Sequence, residues 1–547
     1  MGKKDRCKKK GKGAEKTASK TDKKLKQKNK KELAAIGEDD IENIVAQIEL
    51  EEKKQQEVVE IIVSPPSSRA NFSLTAHPDK EELILLGGEY FNGQKTFLYS
   101  DLYFYNIPRN EWIRMKAPGG PPPRCSHQTV ALSAGKGQLW VFGGEYASPT
   151  QSQFYHYNDL WVYHVSMKKW EKISASGGPS SRSGHRMVYI KKQLIVFGGF
   201  HDNLRDYKYF NDVYAFNLEN YTWKRIEPTG TPPAPRSGCV MVALPNGKVL
   251  IYGGYSKEKI KRDVDKGVIH TDMFLLTPEK NDISGLKWKW VAVKQSGARI
   301  SARCGMSVAV APGNKAYAFG GVWDIEDSEN DLAGTFYNDL LTLDFDKTLW
   351  RTVTLSGKKD SGKQRRRRKE KNELPNDVEN DDSDNILNEM DTLELQDAVS
   401  DNGTEEVAAV PSASNAVVSD DGIFKVTVSS VTSVSTSQQN VEGSSEARQA
   451  FSPSPRMNCG LVVKHSILYL YGGLIEEGDK QFTLSDFYSL DLHKLDEWKT
   501  LIPNDLTSQE WLESDSSSDA NEEDSGSDGD SESDEEQTQM VVDEIQQ

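Results

Sequence analysis

The sequence is poor in cysteine and histidine and has no long apolar run, and these absences exclude several classes of protein. There are 5 cysteines and 9 histidines in 547 residues, and the histidines show no spacing typical of metal ligands. No apolar run approaches the ~20 residues that a membrane-spanning helix needs. The opening residues, Met1-Gly-Lys-Lys, do not resemble a signal peptide. We therefore expect a protein of the cytoplasm, the nucleus or both, without a membrane contact.

Charge is unevenly distributed along the chain. The net charge is −15, from 68 Lys and Arg against 83 Asp and Glu, but lysines crowd the first residues and acids crowd the last. Residues 1–36 are predicted to be a disordered lysine-rich arm, which either keeps the protein soluble or binds RNA or import factors. The overall acidic balance therefore does not exclude contacts with nucleic acid or with acidic proteins.

Residues 504–547 are predicted to be an acidic disordered tail. Five of its serines have an acidic residue three positions later, the pattern that acidophilic kinases favour: Ser516, Ser525, Ser527, Ser531 and Ser533. Phosphorylation would add roughly 1.5 to 2 negative charges at each site. The alternative is a tail that serves solubility alone.

A sixfold repeat dominates the middle of the sequence. Each copy has an arginine, an apolar run that ends in a glycine pair, an aspartate that opens a second apolar run, and a tryptophan that opens a third. The arginines are Arg69, Arg124, Arg182, Arg236, Arg303 and Arg456. The glycine pairs begin at Gly87, Gly143, Gly198, Gly253, Gly320 and Gly472. The first four pairs are about 55 residues apart, in the range typical of propeller repeats.

This pattern resembles the kelch motif, and six copies in register make the resemblance specific. It implies an all-β fold, a six-bladed kelch β-propeller, with blades 1–5 in residues 64–355 and blade 6 in residues 453–503. Each blade should supply four antiparallel strands, A to D, counted from the central channel outward. The family implies this fold but no single activity.

The resemblance also implies where a ligand would bind. Strands alternate in direction, so the loops that lead into strand A and the loops between strands B and C emerge on the same face. The six repeat arginines should ring the channel there, and in several kelch proteins the matching arginines bind acidic peptide segments. Aromatic residues in the B–C loops should surround this mouth: Tyr90, Tyr155, Tyr209, Tyr255 and Trp323. The alternative is that these arginines bond to carbonyls and aspartates inside the fold.

Four of the five cysteines follow repeat arginines by one or three residues, each in a different repeat. Propeller geometry puts these positions in different blades, so disulfides and a zinc cluster are not expected. We expect Cys125, Cys239, Cys304 and Cys459 to be small buried thiols of a reducing compartment.

Residues 37–63 combine a predicted helix and a predicted strand. Ile41, Ile44, Val45 and Ile48 have helical spacing between Asp39 and Gln55, with an aspartate able to cap the helix. The helix either docks on the propeller or binds a partner. The run at residues 58–63 could add an outer strand to the last blade and so close the ring, but residues 498–502 compete for the same place.

Residues 356–452 are predicted to be a mostly disordered insertion ahead of the last blade. It contains a basic run typical of an import signal, formed by Arg365, Arg366, Arg367, Arg368 and Lys369. A merely solvated linker is the alternative. Residues 416–428 form an apolar, turn, apolar pattern that could be a hairpin.

These features favour a non-enzymatic scaffold whose propeller face binds a protein segment, in particular an acidic one. Two other functions stay open: a substrate adaptor of a ubiquitin ligase, and a nucleolar or ribosome-associated factor that acts through the charged tails. No cofactor, metal or small-molecule substrate is expected, because no nucleophile stands beside a base in the sequence.

Overall fold

The computed structural model describes residues 24, 28, 30–54, 57–203, 206–261, 264–282, 284–328, 331–357, 450–478, 480–506, 509 and 511–512. The chain divides into two compact units, residues 1–359 with 448–547, and residues 360–447. Everything described below belongs to the first unit. The predicted import signal at Arg365 to Lys369, the hairpin at residues 416–428 and the five serines of the acidic tail lie outside the described residues.

The described unit is a six-bladed β-propeller in which strands A to D of each blade are antiparallel, while blade 5 has an additional two-residue strand, Ser296–Gly297, paired in parallel at its outer edge. Strands of blades 1 and 2 are β1 (Val59–Val63), β2 (Ser73–Ala76), β3 (Glu82–Leu86), β4 (Glu89–Phe91), β5 (Thr96–Leu98), β6 (Leu102–Asn106), β7 (Glu111–Lys116), β8 (Gln128–Leu132), β9 (Gln138–Phe142), β10 (Glu145–Ala147), β11 (Phe154–His156), β12 (Leu160–His164) and β13 (Lys169–Ile173). Short 3₁₀ helices lie at Ala134–Lys136 and Val165–Met167.

Blades 3 and 4 consist of β14 (Arg186–Ile190), β15 (Gln193–Phe197), β16 (Phe200–Asp202), β17 (Tyr207–Tyr209), β18 (Val213–Asn217), β19 (Thr222–Ile226), β20 (Val240–Ala243), β21 (Val249–Lys261), β22 (Val264–Pro278) and β23 (Trp288–Val293). Blades 5 and 6 consist of β24 (Ser296–Gly297), β25 (Ser307–Ala311), β26 (Lys315–Phe319), β27 (Val322–Ser328), β28 (Asp331–Phe336), β29 (Leu340–Asp344), β30 (Leu349–Thr352), β31 (Gly460–Lys464), β32 (Ile467–Glu477), β33 (Lys480–Asp491) and β34 (Lys499–Ile502).

The sheet orders match the predicted A–B–C–D arrangement. Strands A to D are β2-β3-β6-β7 in blade 1 and β31-β32-β33-β34 in blade 6, with corresponding orders between. The predicted B–C loops are two-stranded hairpins: β4–β5, β10–β11, β16–β17 and β27–β28 are separate hairpins, while in blades 4 and 6 the long strands B and C continue into one. All six hairpins project on one face, which we call the hairpin face.

The hydrophobic core lies between neighbouring blades. One cluster joins Ile84 and Phe104 of blade 1 to Val141 and Tyr163 of blade 2. Another joins blade 1 to blade 6, with Tyr105 against Phe487 at a ring distance of 4.9 Å. Each sheet therefore covers apolar surface of its neighbours and shields it from water.

The glycine pairs are required by close contact between blades. Gly87 and Gly88 both have positive φ, at 66° and 103°. A Cβ on Gly87 would lie 2.6 Å from the carbonyl oxygen of Arg124 in the next blade. Side chains are therefore excluded for conformational and steric reasons together.

At the closure of the ring, the first and the last blade each keep their own outer strand. β1 pairs with β7, so it is a fifth, outermost strand of blade 1, whereas one of the two alternatives from the sequence placed it on the last blade. The reason is that β34 pairs with β33 and fills the fourth position of blade 6 itself. Main-chain bonds seal the junction, among them Arg69 N–H to Leu484 O at 3.1 Å and Gly473 N–H to Arg69 O at 3.1 Å.

The predicted N-terminal helix is α1 (Ile41–Lys54). Ahead of it, residues 30–35 are also helical, which corrects the prediction of a disordered arm through residue 36. This stretch is rich in good helix formers, and Lys28 and Glu32 form an ion pair of 3.4 Å one turn apart.

Candidate interaction face

The six repeat arginines join neighbouring blades. In each, Nε donates to the carbonyl two residues earlier and Nη1 donates to the carbonyl of the first glycine of the pair, at 2.9–3.3 Å. The main chain of the arginine binds the preceding blade, as when Arg124 O accepts the Gly88 N–H at 3.0 Å and Arg182 O accepts that of Gly144. Each arginine therefore fixes both the hairpin base of its own blade and the contact to its neighbour.

An aspartate at the start of strand C pairs with each arginine. Asp159 accepts two hydrogen bonds from Arg124, at 2.7 and 3.1 Å, and Asp486 accepts two from Arg456, at 2.5 and 2.8 Å. Burial alone would raise the pKa of Asp159, but the guanidinium of Arg124 holds that pKa below its ordinary value. The same carboxylate outweighs burial and raises the pKa of Arg124, so both members of the pair stay charged.

The six arginines that form these pairs are buried. Their exposed fractions range from 0 to 6%. Aromatic rings cover several of them, as Tyr157 covers Arg124 at 4.0 Å and Tyr337 covers Arg303 at 3.6 Å. The prediction that Arg69, Arg124, Arg182, Arg236, Arg303 and Arg456 form the ligand-binding ring is thus corrected: their charge is neutralised inside the fold.

Residues two positions after each arginine line the channel mouth instead. All six have φ between 52° and 66°, and they are Asn71, Ser126, Gly184, Gly238, Gly305 and Asn458. Main-chain bonds link them in succession from Gly305 through the closure to Gly238, including Asn71 N–H to Asn458 O at 3.3 Å across the closure and Ser126 N–H to Asn71 O at 2.8 Å. This belt of left-handed residues sets the width of the opening.

The channel contains a cavity of about 430 Å³, within the usual range for ligand sites. Its polar wall residues largely bond to one another: Ser73 Oγ lies 3.0 Å from His127 Nε2, and Thr75 Oγ1 lies 2.7 Å from Thr129 Oγ1. Arg186, at the start of β14, also lies in the wall. Sequence reasoning missed Arg186, although an arginine at the first position of a predicted strand A was a visible signal.

Aromatic side chains of blades 3 and 4 form a connected group beside this mouth. Phe200 stacks on Tyr209 at 5.7 Å, and Tyr209 contacts Tyr207 at 6.0 Å and Tyr255 at 6.3 Å. Phe200 and Tyr255 also line the channel cavity. On the blade 5 hairpin, Trp323 is 41% exposed. We call Phe200, Tyr207, Tyr209, Tyr255 and Trp323 the aromatic face.

The other two predicted aromatics lie beside terminal segments of the chain. Tyr155 belongs to β11, which α1 contacts, and the Gln153 side chain bonds to Ile41 N–H at 3.1 Å and to Asp39 O at 2.9 Å. Tyr90 lines a small crevice with Trp511, whose ring meets Phe91 edge-on at 5.7 Å. No pattern in the sequence indicated either arrangement.

A buried polar cluster in blades 2 and 3 has the residue types of a hydrolase but not the arrangement. Ser183 Oγ lies 3.1 Å from His156 Nδ1 and 2.9 Å from a carboxylate oxygen of Glu145. His156 Nε2 accepts the Asp202 N–H at 3.1 Å, so Nδ1 of the neutral ring carries the proton. Burial, with help from His201, lowers the pKa of His156 to about 3. The nitrogen facing Ser183 is therefore a donor, which cannot act as the base for that hydroxyl.

Burial, reinforced by nearby Glu89, raises the pKa of Glu145 to about 8. Within the described ranges, no group of three or more His, Cys, Asp and Glu side chains is arranged to hold a metal ion. Cys125, Cys239 and Cys459 are buried free thiols, while Cys304 is only partly buried. No helix in the described part of the chain has the length and apolar character to cross a membrane.

Comparison with known proteins agrees with this fold. Residues 69–282 match the family described as the FBX42 β-propeller domain. Tip elongation aberrant protein 1 of Schizosaccharomyces pombe is 26% identical over 238 residues, 43% of this chain and 18% of that protein. Host cell factor 1 of Homo sapiens is 26% identical over 308 residues, 51% of this chain and 14% of that protein.

Rho GTPase-activating protein gacHH of Dictyostelium discoideum is 34% identical over 139 residues, 25% of this chain and 8% of that protein. The chain thus spans less than a fifth of the length of these relatives. The solved structure "Structure of YjhT" covers 80% of this chain and 98% of that chain, with a TM-score of 0.44 and 13% identity. The family match and the relatives support a place for the chain among kelch-type β-propeller proteins.

Proposed function

We propose that this protein is a non-enzymatic scaffold that binds a protein segment on the aromatic face of blades 3 to 5. The observation that carries the proposal is the contact chain Phe200–Tyr209–Tyr255, which joins two hairpins and has both of its ends in the wall of the channel cavity. Aromatic side chains on a rigid scaffold are the residues that most often dominate protein interfaces.

Lysines beside the aromatic face favour an acidic segment as the ligand. Lys208, Lys257 and Lys259 are exposed on the hairpins of blades 3 and 4. Lys259 lies over the ring of Tyr207 at 5.5 Å, and Lys208 lies over Phe210 at 5.3 Å. Positive charge interleaved with rings attracts carboxylates, while the rings supply the buried area.

We also infer a resemblance within the kelch class. Residues 87–99, 252–257 and 263–267 resemble kelch domain-containing protein 4, as do the lysine-rich start, the arginine run and the acidic tail. The buried free thiols Cys125, Cys239 and Cys459 fit a reducing compartment, so we place the protein in the cytoplasm, the nucleus or both.

The test is a comparison of partners recovered by proximity labelling in cells. The variant Tyr209→Ala with Trp323→Ala removes two rings of the aromatic face. The matched control is Tyr189→Ala, since Tyr189 is 40% exposed, close to the 41% of Trp323, but lies in β14 next to the turn into β15, toward the opposite face. We expect the double variant to lose most specific partners and the control to keep them.

Thermal melting of each variant comes first, so that loss of partners is not confused with loss of fold. Full retention of partners by a folded Tyr209→Ala, Trp323→Ala protein would refute the proposal. The function would then belong to the charged segments at residues 1–36, 356–452 and 504–547, with the propeller as their carrier.

A further inference from the structure

We propose that Arg186, in the wall of the central channel, is a binding subsite for a carboxylate side chain of a protein segment. This inference rests on the proposed function, because the same segment would cover the aromatic face and place one acidic residue into the channel mouth. The chemical class of the ligand group is a carboxylate presented on a peptide.

The position of Arg186 is fixed by the belt of left-handed residues. It begins β14 two residues after Gly184 and therefore lies just inside the opening on the hairpin face. Nε donates to Cys239 O of the next blade at 2.6 Å, and Nη1 donates to His185 O at 3.1 Å. These carbonyls hold the guanidinium at the wall of the cavity and engage only its Nε and Nη1.

Arg186 differs from the six repeat arginines in having no anionic partner. Each of those has an aspartate within 3.6 Å, whereas no carboxylate of the described residues lies within 4.0 Å of Arg186, and its Nη2 donates no hydrogen bond to them. Burial lowers the pKa of its guanidinium. A partly buried charge that the fold leaves uncompensated costs stability, so a role outside folding explains it better.

The neighbouring polar groups do not supply that anion. Ser73 pairs with His127, Thr75 with Thr129, and Ser307 Oγ donates to Cys459 O at 2.7 Å. These pairs engage one another within the ring, and none of them contributes a carboxylate. The guanidinium of Arg186 is therefore a charged group of the wall that these side chains do not neutralise and that a ligand could bind.

The rest of the cavity wall favours a peptide over a free inorganic anion. Met241, Met306 and Met457 line the cavity, and Phe200 and Tyr255 continue from it onto the aromatic face. This apolar surface would pack against the carbon atoms of an acidic residue and its neighbours. A volume of about 430 Å³ accommodates a few side chains.

The test uses the full chain and a fluorescein-labelled hexaglutamate peptide in anisotropy titrations at low salt, with hexaglutamine as the neutral probe. Arg186→Gln removes one positive charge from the channel. The matched control, Arg225→Gln, removes one from the outer strand β19 of the same blade, where Arg225 is exposed and pairs with Glu227. We expect the Kd for hexaglutamate to rise at least tenfold in Arg186→Gln and less than twofold in Arg225→Gln.

Three outcomes would overturn the proposal. The first is equal binding by wild type and Arg186→Gln, or no binding by wild type. The second is an unfolded Arg186→Gln protein together with a folded Arg186→Met protein that binds hexaglutamate as tightly as wild type, since the charge at this position would then not be needed for binding. The third is displacement of hexaglutamate by sulfate but not by sodium chloride of equal ionic strength, which would assign the subsite to a free anion.

The results separate this inference from the proposed function. Unchanged hexaglutamate binding by Arg186→Gln, together with loss of partners by Tyr209→Ala, Trp323→Ala, would support binding at the aromatic face and refute the channel subsite. Weakened hexaglutamate binding by Arg186→Gln, with partners retained by Tyr209→Ala, Trp323→Ala, would support the channel subsite and refute binding at the aromatic face.

Discussion

At the scale of single residues, the Arg–Asp pairs differ in burial, and this difference has consequences for stability. Asp486 is fully buried, whereas the Asp272 side chain is 47% exposed, yet both accept two hydrogen bonds from an arginine. When one partner of a buried pair is removed, the other charge stays unpaired in a region of low dielectric constant. Where water reaches the aspartate, it replaces much of the lost interaction.

We therefore expect Asp486→Asn to lower the free energy of unfolding by about 3–5 kcal/mol, because Arg456 would stay buried without an anion. Asp272→Asn should cost roughly 1 kcal/mol. Urea denaturation followed by tryptophan fluorescence measures both. Equal losses for the two variants would show that burial of the aspartate does not set the strength of these pairs.

The position of these residues could be predicted from the sequence, but their role could not. The repeat places Arg124 ahead of Gly143 and Asp159 after it, in the same order as in every other copy, so their presence at the hairpin base follows from the pattern. Whether an arginine there faces solvent or bonds to Gly143 O depends on how closely the next blade approaches. Likewise, the sequence shows Arg186 but not the absence of a carboxylate around it.

At the scale of elements, helix α1 was predicted well from its apolar spacing. Ile41, Ile44, Val45 and Ile48 form its covered side, with Val45 wholly buried. Asp40 caps the helix through a bond from Glu42 N–H at 3.0 Å. Where the helix docks could not be predicted, because an apolar stripe shows only that something covers it.

The docking of α1 can be tested with a pair of neighbouring substitutions. Val45→Asp puts a charge into the contact with the propeller, whereas Ala46→Asp puts the same charge on the exposed side. We expect Val45→Asp to abolish protection of residues 41–54 in hydrogen exchange while the melting temperature of the propeller changes little, since one buried residue anchors the helix. Retained protection in Val45→Asp would mean that the polar contacts of the helix, among them those of Gln153 and Glu52, suffice to hold it.

The hairpins were the element that sequence reasoning described least well. They were predicted as long loops, because runs such as Phe154-Tyr-His-Tyr157 mix aromatic and polar residues without a two-residue period. In the structure they pair as β-strands, and residues after the glycine pair bridge to the entrance of strand A, as Glu89 does to Ala70. Tertiary contact, rather than local pattern, makes them strands.

At the scale of the whole molecule, the belt of left-handed residues closes the ring. Asn71 has φ of 55° and donates its N–H to Asn458 O across the junction of the first and last blades. Six blades follow from six repeats, but the way the ends meet could not be predicted, because β1 and β34 compete on equal terms in the sequence.

A matched pair at Asn71 tests this closure. Asn71→Pro removes the N–H and cannot adopt positive φ, so we expect a loss of at least ~3 kcal/mol in unfolding free energy. Asn71→Gly keeps both features and loses only the side-chain bond to Glu89, so its loss should be about 1 kcal/mol. Calorimetry measures both, and an unchanged melting temperature for a folded Asn71→Pro protein would contradict the role of the belt.

The measurement that tests the central claim most directly is hydroxyl-radical footprinting of the full chain with and without a partner recovered by proximity labelling. Trp323 and Tyr189 have nearly the same exposure in the free protein, 41% and 40%. The account predicts that the partner protects Trp323 and Tyr209 from oxidation and leaves Tyr189 unchanged. Protection of Tyr189 with Trp323 fully reactive would place the interaction on the opposite face and contradict the account.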